Sequence, residues 1–389
     1  MFIKNQFKYK IFVLIIFLFI SGCSPIISKL IPLNDLPSPS GNFSIGTKIM
    51  YWEDEDREEW FTENNIYDKR KLVVQVWYPT HSTSDIKYPY IDFPEARLEP
   101  ISKQIEIPKL LIEHIKNIKT NSILNAPIHF NKNNIPIIIF SHGLGGMKGQ
   151  NTILIEHLAS VGYFVIALDH PYDANITVFN DGTTADFRSG TTYLEAQRGG
   201  KIEWTEKEFW DFRLPQIKTR SADIKYLIDK IIFEAENNNP FWSKLDVNRI
   251  GFFGHSYGGA TGVVSAYNDN RIDACVSLDG WNLPIPQNII EDGLQIPFLY
   301  IGRPKWDSDL NYQKLDTLLS RNRSFSRKMI LENTKHFDYS DTPHISPLTK
   351  KFGLSGSISS EELLLILSYE ISTFFEKHLD NNIRENKDM

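Results

Sequence analysis

Gly254-His255-Ser256-Tyr257-Gly258-Gly259 follows the apolar run Ile250 to Phe253 and opens a stretch of helical periodicity from Tyr257 to Tyr267. The pattern is G-x-S-x-G between a strand and a helix, a setting that holds a serine in a strained turn with its hydroxyl exposed. Glycines two residues before and after the serine let neighbouring chain pass close without meeting a Cβ atom. Ser256 is therefore the candidate nucleophile.

Outward from this elbow, the chain alternates between short apolar runs and helical periods. Ile135 to Phe140, Gly162 to Leu168, Arg249 to Phe253, Ile272 to Leu278, Pro297 to Ile301 and Arg327 to Leu331 read as strands buried on both faces. An earlier strand, Lys71 to Tyr78, is rich in β-branched and aromatic residues and stops at Pro79. Gln150 to Ser160, Gln216 to Glu236, Tyr257 to Tyr267 and Glu361 to His378 have helical length and spacing. This βαβ succession predicts an α/β fold with a mostly parallel central sheet and helices on both faces, the α/β-hydrolase fold. One catalytic domain is expected over residues 42–389.

A serine that accepts an acyl group needs two backbone donors for the oxyanion. The amide of Tyr257, at the start of the following helix, supplies one. The loop Ser141-His142-Gly143-Leu144-Gly145-Gly146 follows a strand as the second donor's loop should, and Leu144 is assigned there. His142 precedes the serine and reads as a loop-shaping residue. The base must follow the serine, leaving His336, His344 and His378. His378, beside Lys377 in the last helix, reads as a surface residue. His336 follows the last strand by a short loop, at the carboxyl edge of the sheet. A metal site of His336, Asp338 and His344 has no recognised ligand spacing, and no cofactor is expected. For the orienting acid, Asp279, Asp307 and Asp309 all keep the order serine, acid, histidine, and spacing alone does not choose.

Composition bounds the alternatives. Hydrophobic residues at 41% and charged residues at 23% are globular values, against both disorder and a multi-span membrane protein. Lys4, Lys8 and Lys10 precede the apolar run Ile11 to Ile20, which is signal-peptide length and too short to span a bilayer. Ile20-Ser21-Gly22-Cys23 then resembles the lipobox of bacterial lipoproteins, so residues 1–22 read as a lipoprotein signal peptide and Cys23 as the lipidated terminus. The expected localisation is an exported, membrane-anchored bacterial lipoprotein. Removing Lys4, Lys8 and Lys10 from the 42 basic residues leaves 39 against 48 acidic ones, a net of −9, which argues against nucleic acid as a partner. The second cysteine, Cys275, lies in a strand and reads as a buried, inert thiol.

Residues 23–41 contain Pro25, Pro32, Pro37 and Pro39 and read as an extended tether. The acidic run Glu53 to Glu59 reads as a solvated loop. Ile107, Leu110, Leu111, Ile115 and Ile118 fit one face of a short amphipathic helix, packed on the core or lying at a lipid surface. Trp204, Phe209, Trp210 and Phe212 cluster ahead of a helix, as acyl-pocket lining or as packed core.

Phe140-Ser141-His142-Gly143-Leu144-Gly145, Gly254-His255-Ser256-Tyr257-Gly258-Gly259-Ala260-Thr261, Leu278-Asp279-Gly280-Trp281 and a histidine beyond a late strand together resemble the platelet-activating factor acetylhydrolases of the plasma and intracellular type-II group. The likeness runs from about Gly41 to Leu379. It implies Asp279 as the acid, His336 as the base, oxyanion donors at Leu144 and Tyr257, and no calcium requirement. It also implies hydrolysis of short or oxidised sn-2 acyl groups of phospholipids. Rival expectations are a broad carboxylesterase or polyester hydrolase like the dienelactone-hydrolase and cutinase groups, and a surface lipoprotein that binds without turnover. The oligomeric state is not legible.

Overall fold

The computed structural model describes residues 33, 35–62, 67–128, 134–190, 194, 204–237 and 239–379. The expected signal segment, Cys23 and the first part of the tether lie outside the described residues. Twelve strands are present among them: β1 Ser44–Glu58, β2 Lys69–Thr80, β3 Lys87–Pro89, β4 Lys119–Leu124, β5 Ile135–Ser141, β6 Phe164–Asp169, β7 Ile176–Val178, β8 Thr184–Asp186, β9 Leu245–His255, β10 Ile272–Leu278, β11 Phe298–Gly302 and β12 Ser326–Ile330. The longer helices are α1 Pro94–Ile105, α2 Thr152–Ser160, α3 Glu206–Glu236, α4 Tyr257–Asn268, α5 Leu310–Arg321 and α6 Ser360–His378.

Ten strands form one sheet in the order β12-β11-β10-β9-β5-β6-β2-β1-β4-β3, and β7 pairs with β8 apart from it. The six from β12 to β6 run parallel, while β2 is antiparallel to both β6 and β1. Alternation along each strand divides the core between the two faces. Ile137 and Ile139 of β5 pack with Ile224, Leu227 and Ile228 of α3 and Val263 of α4. Ile138 and Phe140 face the other way, onto Ile155 and Leu158 of α2 and Ile371 and Phe375 of α6. Burial on both faces is why these strands carry unbroken apolar runs. Cys275 lies in the first of these clusters, and burial pushes its thiol well above the ordinary range.

From β5 the chain steps outward to β6 and then returns to β9 on the other side of β5. The strand order thus reverses between β5 and β9, and at such a switch point the loops after the strands diverge and leave a crevice at their carboxyl ends. The two loops flanking it are those carrying Leu144 and Ser256.

Four expectations change. Residues from Asp35 to Gly41 are packed rather than free: Leu36 is buried with Tyr90 and Leu98, Asn121 Nδ2 donates to the Pro37 carbonyl at 3.0 Å, and the Gly41 amide donates to Ser160 Oγ at 3.0 Å. The acidic run is no solvated loop, because most of it forms β1, with Asp54 and Glu59 buried against Arg57 and Arg70. The stretch after α1 is not one helix. Pro108 precedes a single turn, Lys109–Ile112, and a 3-10 segment, Glu113–Asn117, follows, although Ile112, Ile115 and Ile118 are buried. Helix α3 starts at Glu206, ten residues ahead of Gln216, closed by a capping box in which Thr205 and Glu208 satisfy each other's amides. Pro215 lies inside α3, and the helix continues through it, its lost donor and ring clash offset by burial of Ile217, Ile224, Leu227, Ile228 and Ile231 in the core.

Candidate active site

Ser256 sits at φ 56°, ψ −118°, between the end of β9 and the first turn of α4. Few side chains adopt positive φ, and the close crossing of β9, α4 and β5 imposes it here. A Cβ on Gly258 would lie 1.9 Å from the Ser141 carbonyl oxygen, and one on Gly254 would lie 2.3 Å from the Gly258 carbonyl oxygen. Both glycines are therefore steric requirements of the turn. The Trp281 amide donates to the Ser256 carbonyl at 3.0 Å and fixes the elbow from its other side.

Asp279 follows the last residue of β10 and is fully buried, at φ 42°. Its Oδ2 lies 2.6 Å from His336 Nδ1, and its Oδ1 accepts from the Arg303 amide at 3.1 Å. The Arg303 guanidinium Nε is 3.2 Å from Oδ2. His336 Nε2 lies 2.9 Å from Ser256 Oγ. With Nδ1–H given to the carboxylate, the lone pair of Nε2 faces the serine hydroxyl, the tautomer a general base requires. Asp307 and Asp309 are exposed. His378 is half-buried rather than a surface residue, its ring 4.8 Å from Phe374 and 5.1 Å from Phe325. His344 is pulled down to about 4 by burial. Among the described residues no cluster of three or more His, Cys, Asp or Glu side chains is arranged for a metal ion.

The loop after β5 is held so that one amide is left over. The Gly143 carbonyl accepts from His142 Nδ1–H at 2.6 Å and from the Gly146 amide at 3.1 Å. Because a trans peptide points its C=O and N–H in opposite directions, pinning this carbonyl turns the Leu144 N–H away from both donors. Among the described residues neither that amide nor the Tyr257 amide, which opens α4 where no helical partner exists, has an acceptor. A Cβ on Gly143 would lie 3.1 Å from Ser256 Cβ, so the loop passes directly over the serine.

His142 shapes this loop rather than serving as a base. Its Nε2 accepts from the His170 amide at 3.1 Å, and burial, with the nearby Arg220, lowers it to about 3. Beneath it lies a second serine–histidine–aspartate sequence that the sequence reading missed. Ser141 Oγ is 3.0 Å from His170 Nε2, and His170 Nδ1 is 2.8 Å from Asp223 Oδ2. All three are fully buried, so this chain supports the loop from below and meets no solvent. Arg70 and Arg57 hold Asp223 at 2.6 and 2.9 Å and keep its carboxyl below the usual range against the effect of burial. Arg220 donates to Ser141 Oγ at 3.2 Å and to the His142 carbonyl.

All four residues of the aromatic cluster are half-buried. Phe209 lies 6.2 Å from Trp281, two residues past Asp279, while Trp204 and Phe212 pair at 5.8 Å.

The fold, the switch-point crevice and the serine–histidine–aspartate sequence within it define a serine hydrolase on the α/β-hydrolase scaffold. More particularly, the family model described as platelet-activating factor acetylhydrolase, isoform II, matches residues 31–389, and the chain belongs to that family. It is 27% identical over 263 residues to the platelet-activating factor acetylhydrolase of Gallus gallus, covering 63% of this chain and 62% of that protein. To the Canis lupus familiaris protein of the same name it is 23% identical over 367 residues, covering 88% and 77%. Among solved structures, a ferulic acid esterase from Streptomyces cinnamoneus superposes with a TM-score of 0.69 over 89% of this chain and 93% of that one, at 22% identity, a likeness of fold.

Proposed function

We propose that this protein hydrolyses phospholipids carrying a short or oxidised acyl group at the sn-2 position. The observation that carries the chemistry is the unbroken sequence Ser256 Oγ, His336 and Asp279 beside two amides with no acceptor among the described residues. His336 Nε2 takes the hydroxyl proton as Ser256 Oγ bonds to the ester carbonyl carbon. The amides of Leu144 and Tyr257 donate to the resulting oxyanion. The tetrahedral species collapses, the C–O bond to the lysophospholipid breaks, and His336 returns the proton to that leaving oxygen. Water then attacks the acyl-serine, with the same histidine taking its proton, and releases the acid. Asp279 holds the imidazole tautomer and stabilises its charged form throughout.

Family membership supports the choice of substrate. So does a cavity of about 110 Å³ beside Gly145 and Gly146, lined by Ile101, Ile105, Met147, Phe337 and Ile345. Its largely apolar lining suits an acyl chain. Lipidated Cys23 would hold the site near membrane esters and raise its encounter with them.

The test compares kcat/KM, without calcium, for phosphatidylcholines with acetyl, butyryl, hexanoyl and palmitoyl groups at sn-2. Acetyl or butyryl should be preferred. A preference for palmitoyl, or activity confined to water-soluble or polymeric esters, overturns the reading in favour of a broad carboxylesterase.

A further inference from the structure

Gln150 lies at the turn ahead of α2, outside the serine–histidine–aspartate sequence, yet its side chain touches both halves of the site. Its Oε1 accepts from the Gly143 amide at 2.8 Å, and its Nε2 is 3.1 Å from His255 Nδ1. His255 Nε2 is in turn 3.0 Å from the His336 carbonyl oxygen, and the two imidazole rings lie 4.6 Å apart. The Gln150 carbonyl also accepts from the Asp341 amide at 3.1 Å, so the same residue grips the segment that follows His336.

The polarity of this chain is determined at both ends. The Gly143 N–H can only donate, so Gln150 must turn its oxygen toward it, and the amide NH₂ is then aimed at His255. His255 Nδ1 therefore accepts, its proton sits on Nε2, and that proton goes to the His336 carbonyl. The neutral ring is the form this arrangement needs, and burial together with the adjoining His336 holds His255 well below its ordinary value, with Arg303 acting in the same direction. A flipped Gln150 would set its NH₂ against the Gly143 N–H and its oxygen against a lone pair. The bridge is also closely packed, since a Cβ on Gly146 would lie 2.7 Å from Gln150 Oε1.

We propose that Gln150 and His255 are positioning residues that tie the oxyanion loop to the backbone of His336, setting the distance between the Leu144 amide and the base across the crevice. The proposal rests on the reading of His336 as base. Neither residue touches the reacting atoms, and the effect is on the geometry of those that do.

The test uses the full chain with two variants, Gln150→Leu, which removes both polar ends at similar volume, and Gln150→Glu, which keeps the shape and offers an acceptor at both ends. With p-nitrophenyl acetate, Gln150→Leu should lower kcat by about 10- to 100-fold, the scale of a misplacement near 1 Å, with KM within about twofold. In Gln150→Glu the new carboxylate accepts from His255 Nδ1–H, so the imidazole resonance of His255 should titrate at least about one pH unit higher than in the wild type. This second readout does not depend on activity and keeps the proposal testable should Gln150→Leu fail to fold. A kcat within about twofold of wild type in folded Gln150→Leu overturns the proposal, as does an unmoved His255 titration in Gln150→Glu. A wild type that takes no fluorophosphonate label overturns the reading of the base, and the positioning role with it.

Discussion

The Ser256 amide donates to the carbonyl oxygen of Leu278 at 2.9 Å, so the elbow is bonded to the residue immediately before Asp279. Ser256 and Asp279 thus stand at the ends of neighbouring strands, β9 and β10, and the imidazole of His336 closes the gap between them. The first two predictions follow from this arrangement.

Ser256→Ala removes the one oxygen that His336 Nε2 faces while keeping nearly the same volume and the same backbone strain. Ester turnover should fall by several orders of magnitude, on the order of a million-fold if the subtilisin series transfers, with the melting temperature little changed. Substantial residual hydrolysis in a clean preparation would refute the assignment.

Asp279→Asn should preserve the fold and lower kcat by roughly ten-thousand-fold, as in the trypsin-type precedent, because the amide no longer selects the tautomer with Nε2 free. Asp307→Asn and Asp309→Asn, at exposed positions, should leave kcat unchanged. Steady-state kinetics on the three variants decides between the acids, and a loss at Asp307 or Asp309 instead would reassign the role.

Glu156 in α2 gives a prediction for stability against pH. Its carboxyl is fully buried, accepts from Ser122 Oγ at 2.5 Å and Asn121 Nδ2 at 2.9 Å, and is pushed up to about 7, by burial above all. In the unfolded chain the same group releases its proton near 4.5. Between those values the native state holds a proton that the unfolded state has lost, so stability falls as pH rises through this window. The shift corresponds to roughly 3 kcal/mol at pH 8. Glu156→Gln should therefore raise the melting temperature at pH 8 and give no gain at pH 4. Thermal denaturation across that range checks it, and equal effects at both pH values would contradict it.

Cys23 carries the remaining prediction. Mass spectrometry of protein from a membrane fraction should find a diacylglyceryl-modified amino-terminal cysteine, and Cys23→Ala should release the protein in soluble form. A mature terminus at another residue, unmodified, would rule out the anchor. No helix among the described residues is long and apolar enough to cross a membrane.

Much of the architecture could be read from residue order because its signals are local. Buried parallel strands need continuous apolar runs, and β5, β6, β9, β10 and β11 all lie within a few residues of the runs that announced them, whereas β12, expected to be buried, is an edge strand whose residues are half-buried or exposed. Errors fell where a tertiary contact outweighed a local preference. Asp54 and Glu59 looked solvated until Arg57 and Arg70 were seen beside them, and Leu36 looked like tether until the surface of Tyr90 and Leu98 received it. The helix expected from Gln216 begins at Glu206 and runs through Pro215 with its buried face on the sheet.

By itself, the sequence determined the fold class, the elbow at Ser256 and the histidine that follows the last strand, because strand burial and glycine spacing are written within a few consecutive residues. Spacing leaves Asp279, Asp307 and Asp309 open, the resemblance alone implies Asp279, and the loop after a strand points to Leu144. Only the tertiary structure chooses among the carboxylates by bringing Asp279 to His336, and it alone shows how the Gly143 carbonyl is pinned and which buried pairs support that loop. Those choices depend on residues far apart in the chain, such as Asp279 with His336, Ser141 with His170 and Gln150 with His255. Hydrogen bonds are selective over tenths of an ångström, and no spacing rule along the chain conveys such distances until the sheet has brought its strand ends together.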